Sequence, residues 1–223
     1  MTTTWRTDTD IQADVFDEFD WDPEVEVTDV GVEVDDAVVT LTGTVNSYAI
    51  KWAAERAALR VAGVRAVAND IVVKPRGFEP RSDAEIARAV ADALSWSFDV
   101  PAGRIQATVE PSGNVVLEGT VDWQHQRKAA ERVVRPVAGV TSVVNRIRIV
   151  QPTIASDAIR AGIEQAFVRD ATVDAGRVQV QVEAGTVHLT GTVRSTAERE
   201  AAEQVAWRSR GVTDVTNEIH VAP

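Results

Sequence analysis

The sequence predicts an α+β protein of three tandem α-β-β-α-β units, each a small mixed three-stranded sheet with two helices on one face. An ungapped internal repeat is the first observation behind this. Leu-Thr-Gly-Thr-Val at 41–45, Leu-Glu-Gly-Thr-Val at 117–121 and Leu-Thr-Gly-Thr-Val at 189–193 each begin 28 residues ahead of an asparagine: Asn69, Asn145 and Asn217. Within that span Ala53-Ala54-Glu55 recurs as Ala129-Ala130-Glu131 and Ala201-Ala202-Glu203, and Gly63-Val64 as Gly139-Val140 and Gly211-Val212. The second observation is helical spacing upstream of each glycine motif: Ile11, Val15, Phe19; Ile86, Val90, Leu94; Ile159, Ile163, Phe167. Strand-like alternation between the two helical patterns is the third.

Each element follows in order. Thr7 or Asp8, Ser82 or Asp83, and Ser156 are the candidate caps of the opening helices. The first strands alternate as Val30, Val32, Val34; Ile105, Ala107, Val109; and Val178, Val180, Val182. Short turns follow at Asp35-Asp36, Pro111-Ser112-Gly113-Asn114 and Ala184-Gly185, the middle one a residue longer. A second strand carries the glycine motif. The second helix carries the paired alanines, small enough to lie close on a sheet, and is expected to stop at Gly63, Gly139 and Gly211 as C-terminal caps. The last strands run through Val67, Asn69, Ile71, Val73 and their two sets of equivalents. The units are placed at 6–75, 81–150 and 154–222, with linkers at 76–80 and 151–153. Units of this size are marginal alone, so some docking between neighbours is expected.

Composition narrows the function. The 223 residues are 44% hydrophobic, enough for a real core, and contain no cysteine, which excludes disulfides, thiolate zinc sites and cysteine catalysis. The formal net charge of −11 opposes nucleic-acid binding, which must displace counterions from phosphates. No signal-peptide pattern opens the chain and no run has the length of a membrane span, so a cytoplasmic location is expected. Charge is uneven: 6 bases against 15 acids in residues 1–75 (−9), 10 against 9 in 76–151 (+1), and 7 against 10 in 152–223 (−3).

The Val39-Leu41-Gly43-Val45 pattern, the Ala-Ala-Glu helix and Gly63-Val64-Val67-Asn69-Ile71, with their two sets of equivalents, resemble the BON domain, named for bacterial osmotically inducible and nodulation proteins. The resemblance covers nearly the whole chain. It implies a non-enzymatic module linked in various members to phospholipid or envelope binding, to osmotic stress and, in one branch, to potassium. Two departures from the family pattern are expected on this reading: no export signal of the kind many envelope members carry, and no lysin-motif partner of the potassium branch.

Candidate site residues divide into structural and surface groups. Gly43, Gly119 and Gly191, inside strands, read as bulges or close backbone approaches rather than ligand contacts. Asn69, Asn145 and Asn217 read as buried amides bonded to nearby backbone. Lys51, Arg127 and Arg199 precede Glu55, Glu131 and Glu203 by four residues, as in helix-surface ion pairs. His125, His188 and His220 fall in different repeat columns, which argues against a shared metal site and leaves metal binding undetermined. No catalytic constellation is present in a recognisable motif.

Six tryptophans are more informative. Trp21 and Trp96 share a column where the third repeat has Arg169, while Trp52, Trp123 and Trp207 stand in columns that accept Lys128 and Glu200, Ser47 and Ser195, and Leu59 and Arg135. Such columns belong to surface, covered either by a neighbouring repeat or by an external partner. The acidic run from Asp14 to Glu26 around Trp21 repels an anionic bilayer. Arg127, Lys128, Arg132 and Arg135 of the middle unit, with Trp21, Trp96 and Trp123, are the candidate lipid- or partner-binding residues. The expected function is therefore a non-catalytic binding or scaffold protein of osmotic or envelope stress, holding a protein partner or a phospholipid surface. The alternative is a cytoplasmic potassium sensor that compacts on ion binding, potassium being the one candidate cofactor. Homo-oligomerisation stays open at this point.

Overall fold

The apolar stripes become the first helix of each repeat: α1 (Asp8–Trp21), α3 (Asp83–Trp96) and α5 (Ser156–Arg169). A computed structural model describes residues 6–25, 29–74 and 81–222; the expected 76–80 linker and Glu26 of the acidic run lie outside them. Thr7 caps α1 in a reciprocal box with Asp10, and Ser82 caps α3 with Glu85. Ser156 departs from expectation. It is the first helical residue, and the cap position falls to Ala155, which makes no side-chain bond. The entry to α5 is held instead by apolar packing, Ile154 lying against the turn at Gly211. In the other two repeats the matching positions are arginines: Arg6 and Arg81 donate to the carbonyls of Ala62 and Ala138.

The strands β1 (Val30–Asp35), β2 (Val38–Val45) and, after α2 (Tyr48–Arg60), β3 (Ala66–Val73) form the first sheet. The second sheet holds β4 (Ile105–Glu110), β5 (Asn114–Val121) and β6 (Ser142–Ile149), with α4 (Gln124–Val134) before β6. The third holds β7 (Val178–Glu183), β8 (Thr186–Val193) and β9 (Asp214–Val221), with α6 (Thr196–Trp207) before β9. In the first and third sheets the central strand runs antiparallel to its predecessor and parallel to its successor. Leu41 thus lies beside both Val32 and Asn69, and Leu189 beside Val180 and Asn217. The α+β class and the mixed three-stranded sheets are as expected.

In the first repeat the stripe Ile11, Val15, Phe19 is buried against Val39, Leu41 and the alanines of α2. Ala54, Ala57 and Ala58 are fully buried, which is why this helix carries alanine there: a longer side chain would lift it off the sheet. Burying a side chain the size of Phe19 contributes about 1.5–3 kcal/mol.

Three local expectations shift. The first hairpin turns at Asp36-Ala37, not Asp35-Asp36; both residues have positive φ, 48° and 63°, and the Asp8 carboxylate accepts from both of their N–H groups at 3.1 and 2.9 Å. Gly63, Gly139 and Gly211 are not the caps themselves, because α2, α4 and α6 end several residues earlier. They shape the following turn with φ of 97°, 97° and 86°, and their missing side chain admits Ile11, Ile86 and Ile159 of the opening helices. Lys51 and Glu55 do not pair with each other. Lys51 Nζ donates to the Ile71 carbonyl at 2.8 Å and Glu55 accepts from Asn69 at 2.9 Å.

Two compact units follow from the contacts, one made of residues 1–97, 107–117 and 131–144 and the other of 98–106, 118–130 and 145–223.

Candidate functional site

In the first compact unit, Trp52 on α2 meets Arg135, which follows α4. The guanidinium carbon of Arg135 lies 3.5 Å from the indole centroid, and Arg56 covers the same ring at 5.5 Å. Arg135 is held by Glu131 at 2.6 Å and its side chain is 15% exposed. Tyr48, at the start of α2, has a hydrogen bond from the backbone of Val143 in β6, and burial raises its phenol pKa above 10.0. In the second unit Arg127 on α4 covers Trp207 of α6 at 5.3 Å. Trp207 donates from Nε1 to Glu203, which also accepts from Asn217.

Arg127 and Arg135 are half-buried over tryptophans, whereas Lys128 and Arg132 are exposed. Trp52 and Trp207 are thus engaged by the α4 segment, packing that the changing residue types of their columns could not specify.

The asparagines tie the last strand to the second helix. Asn69 Nδ2 donates to Lys51 O and Glu55, while its Oδ1 accepts from Ile71 N. Asn217 repeats the set with Arg199 O, Glu203 and Ile219 N. Asn145 donates to Arg127 O and accepts from Ile147 N. Asparagine can serve a carbonyl, a carboxylate and an N–H together, which an apolar residue at this position cannot. The glycines Gly43, Gly119 and Gly191 adopt φ of 121°, 139° and 133°, and a Cβ at each would fall on the carbonyl of Asp29, Arg104 or Arg177.

Trp21 and Trp96 end α1 and α3 and are 84% and 86% exposed. Two residues beyond Trp96, Phe98 is fully solvated, while Val100 turns inward and is buried, as Val25 and Val173 are after the other opening helices. Trp21 borders an open groove of about 510 Å³ with Asp14, Asp17, Glu18 and Arg60. Most of that charge is paired: Arg6 with Asp14, and Arg60 with Glu18 at 2.8 Å and with Asp22. The Glu24 N–H, then Arg60, lower the Asp22 pKa. Trp123 is half-buried at the column where Ser47 and Ser195 cap α2 and α6. The substitution is compensated by Gln126, whose Oε1 accepts from the N–H groups of Asp122 and Trp123. Gln126 and the buried Glu198, which accepts from Asp174 N and Arg194 N, share one column of the repeat, a signal present in the sequence and unused above. Among the described residues, no three of His, Asp and Glu are arranged to hold a metal ion, and no helix is long and apolar enough to cross a membrane.

Residues 7–75, 82–151 and 155–223 each match the BON domain. The chain belongs to the BON family. Among relatives of this triple-BON chain, osmotically-inducible protein Y of Escherichia coli (strain K12) is 32% identical over 112 residues, 47% of this chain and 56% of that protein. The match therefore spans little more than half of that relative's length. An uncharacterized protein in the gshII 5' region of Anaplasma centrale is 29% identical over 115 residues, 49% of this chain and 76% of its own. Of solved structures, CdsD, a structural protein of the Type III secretion system of Chlamydia trachomatis, aligns over 96% of this chain and 93% of its own at 15% identity and a TM-score of 0.28. The periplasmic domain of PrgH from S. typhimurium aligns over 88% and 96% at 11% identity and 0.21. Neither superposition bears on function at such scores.

Proposed function

We propose that this triple-BON protein is a non-catalytic, stress-associated docking module that binds a phospholipid surface through the middle repeat. The observation that carries the reading is the pair of solvated aromatics Trp96 and Phe98, two residues apart in the chain, 86% and 103% exposed. Large rings left in water at the end of a helix cost solvation free energy with no return in the fold, and Trp at an interface gains from both its apolar face and its N–H. The middle segment is also the one without net negative charge, so it approaches phosphate groups with the least repulsion. Lys128 and Arg132 supply the exposed positive charge there; Arg127 and Arg135 serve packing first. The likeness to osmotically-inducible protein Y supports a role under osmotic stress.

Flotation with vesicles of phosphatidylcholine, alone and with phosphatidylglycerol, tests this. Binding is expected, with Trp96→Ser and Phe98→Ser together reducing the floated fraction several-fold while far-UV circular dichroism stays unchanged. Equal flotation of the variant refutes the assignment of the site. No flotation of the parent protein, with a potassium-selective rise in Tm over sodium at matched ionic strength, would replace it with ion sensing.

A further inference from the structure

We propose that the faces joining the repeats within the chain also join one copy of the protein to the next, head to tail, with Leu59 of one copy meeting Arg199 and Glu200 of another. The two junctions join neighbouring columns near the start of one second helix to one shared column at the end of the next. In the first, Trp52 of the leading repeat meets Arg135 of the following one. In the second, Arg127 of the leading repeat meets Trp207 of the following one. Trp52 and Arg127 stand 11 and 10 residues after the leucine of their glycine motifs, and Arg135 and Trp207 both stand 18 after. The start of a second helix therefore meets the end of the next repeat's second helix, whichever partner supplies the cation.

Such an interface is heterologous, and it leaves one face of each kind over. In the first repeat the column of Arg135 and Trp207 holds Leu59, 44% exposed and apolar. In the third, the columns of Arg127 and Trp52 hold Arg199 and the exposed Glu200. The two faces are complementary in charge. Lys51, Arg60, Glu198 and Glu203 are bonded within their own repeats, so the complementarity is between Arg56, exposed beside Leu59, and the exposed Glu200. Arg56, one turn from Leu59 and exposed although it also lies over Trp52 at 5.5 Å, is the partner assigned to Glu200, and the Arg199 stem covers the leucine. No indole lies in these end columns, so the contact is weaker than the internal junctions and forms only at raised concentration. The occupant is a second copy because continuity with the internal junctions, the apolar Leu59 and the charge pairing all select the same surface.

The cysteine-free chain permits a direct test. Leu59→Cys and Glu200→Cys proteins, mixed and mildly oxidised, are expected to give the mixed disulfide in clear excess over both homodisulfides. Sedimentation velocity of the parent protein over a hundredfold concentration range is expected to show a rising weight-average coefficient. Glu200→Arg, which faces Arg56 with like charge, is expected to weaken association about tenfold. Statistical disulfide ratios, a dominant 59–59 product, a monomer at every concentration, or association unchanged in Glu200→Arg would each overturn the proposal.

Discussion

Replacing Gly43 by alanine tests whether the strand glycines are structural. The residue sits at φ 121° in β2, opposite Val30, and the next residue, Thr44, donates its N–H to Asp29 O at 3.1 Å. A Cβ would occupy the position of that carbonyl oxygen, so the backbone must move and the bond is lost. A positive φ of this kind costs about 1–3 kcal/mol for a non-glycine residue, and the lost hydrogen bond about 1 kcal/mol. The local strand cannot relieve the clash by slipping one residue, because Val45, buried in the core, would then face out. The expected loss is therefore about 2–4 kcal/mol. Gly103 is the internal control: it has φ 72° but open space where its Cβ would lie, so alanine there suffers the backbone strain alone. Urea unfolding followed by circular dichroism, with Gly119→Ala and Gly191→Ala alongside, measures the difference. If Gly43→Ala costs no more than Gly103→Ala, the close carbonyl is not what retains the glycine, and a ligand contact becomes the better account.

Four further outcomes are expected. Arg135→Ala should lower stability by about 1–2 kcal/mol, since it removes both the stack on Trp52 and the pair with Glu131, and Arg135→Lys should recover only part of this because an ammonium lacks the flat face; thermal melting reads both. Asn69→Asp should place a carboxylate beside Glu55 and give a protein whose deficit against the parent shrinks as the pH is lowered through the carboxylate range, measured by denaturation at pH 7 and pH 4. Glu198 has its pKa lowered by the Arg194 and Asp174 N–H groups, so its contribution is complete above the unfolded value of 4.5 and fades as the pH falls through the lower folded value; Glu198→Gln should flatten that part of the acid transition. Tyr48, the single tyrosine of the chain, should titrate above pH 10 in a 295 nm absorbance titration because burial disfavours its phenolate; the stability it supplies is present below pH 10 and is lost as the pH rises through the raised value.

Much of this fold was legible because the repeat compares the sequence with itself. A residue constant in all three copies, such as the asparagine or the strand glycine, answers to a geometry that all three share, and bonding to backbone is such a geometry. Glu55 and Asn69 recur together for the same reason, since each satisfies the other. Helical spacing suggested a Lys51–Glu55 pair instead, because it sees neighbours on one helix and not the strand beneath them. The hairpin turn was misplaced by one residue for a related reason. Two positive φ values at Asp36-Ala37 are unusual for side-chain-bearing residues, and they are supported by Asp8, a residue 28 positions earlier.

The candidate site was least legible where the copies differ. A column holding Trp52, Lys128 and Glu200 reads as solvent-facing surface if each repeat is taken alone. In the first junction Trp52 of this column meets Arg135, from the column of Leu59, Arg135 and Trp207; in the second, Trp207 is met by Arg127, one position before Lys128. Indole and guanidinium can exchange sides without loss, because the attraction depends on the pair and not on which repeat supplies the ring. Variation within single columns therefore masks pairing between repeats: arginine at 135 answers tryptophan at 52, and tryptophan at 207 answers arginine at 127. The same exchange removes Arg127 and Arg135 from a simple count of basic residues offered to phosphate, and it shifts the weight of the binding reading from charge on α4 to the uncovered rings of Trp96 and Phe98.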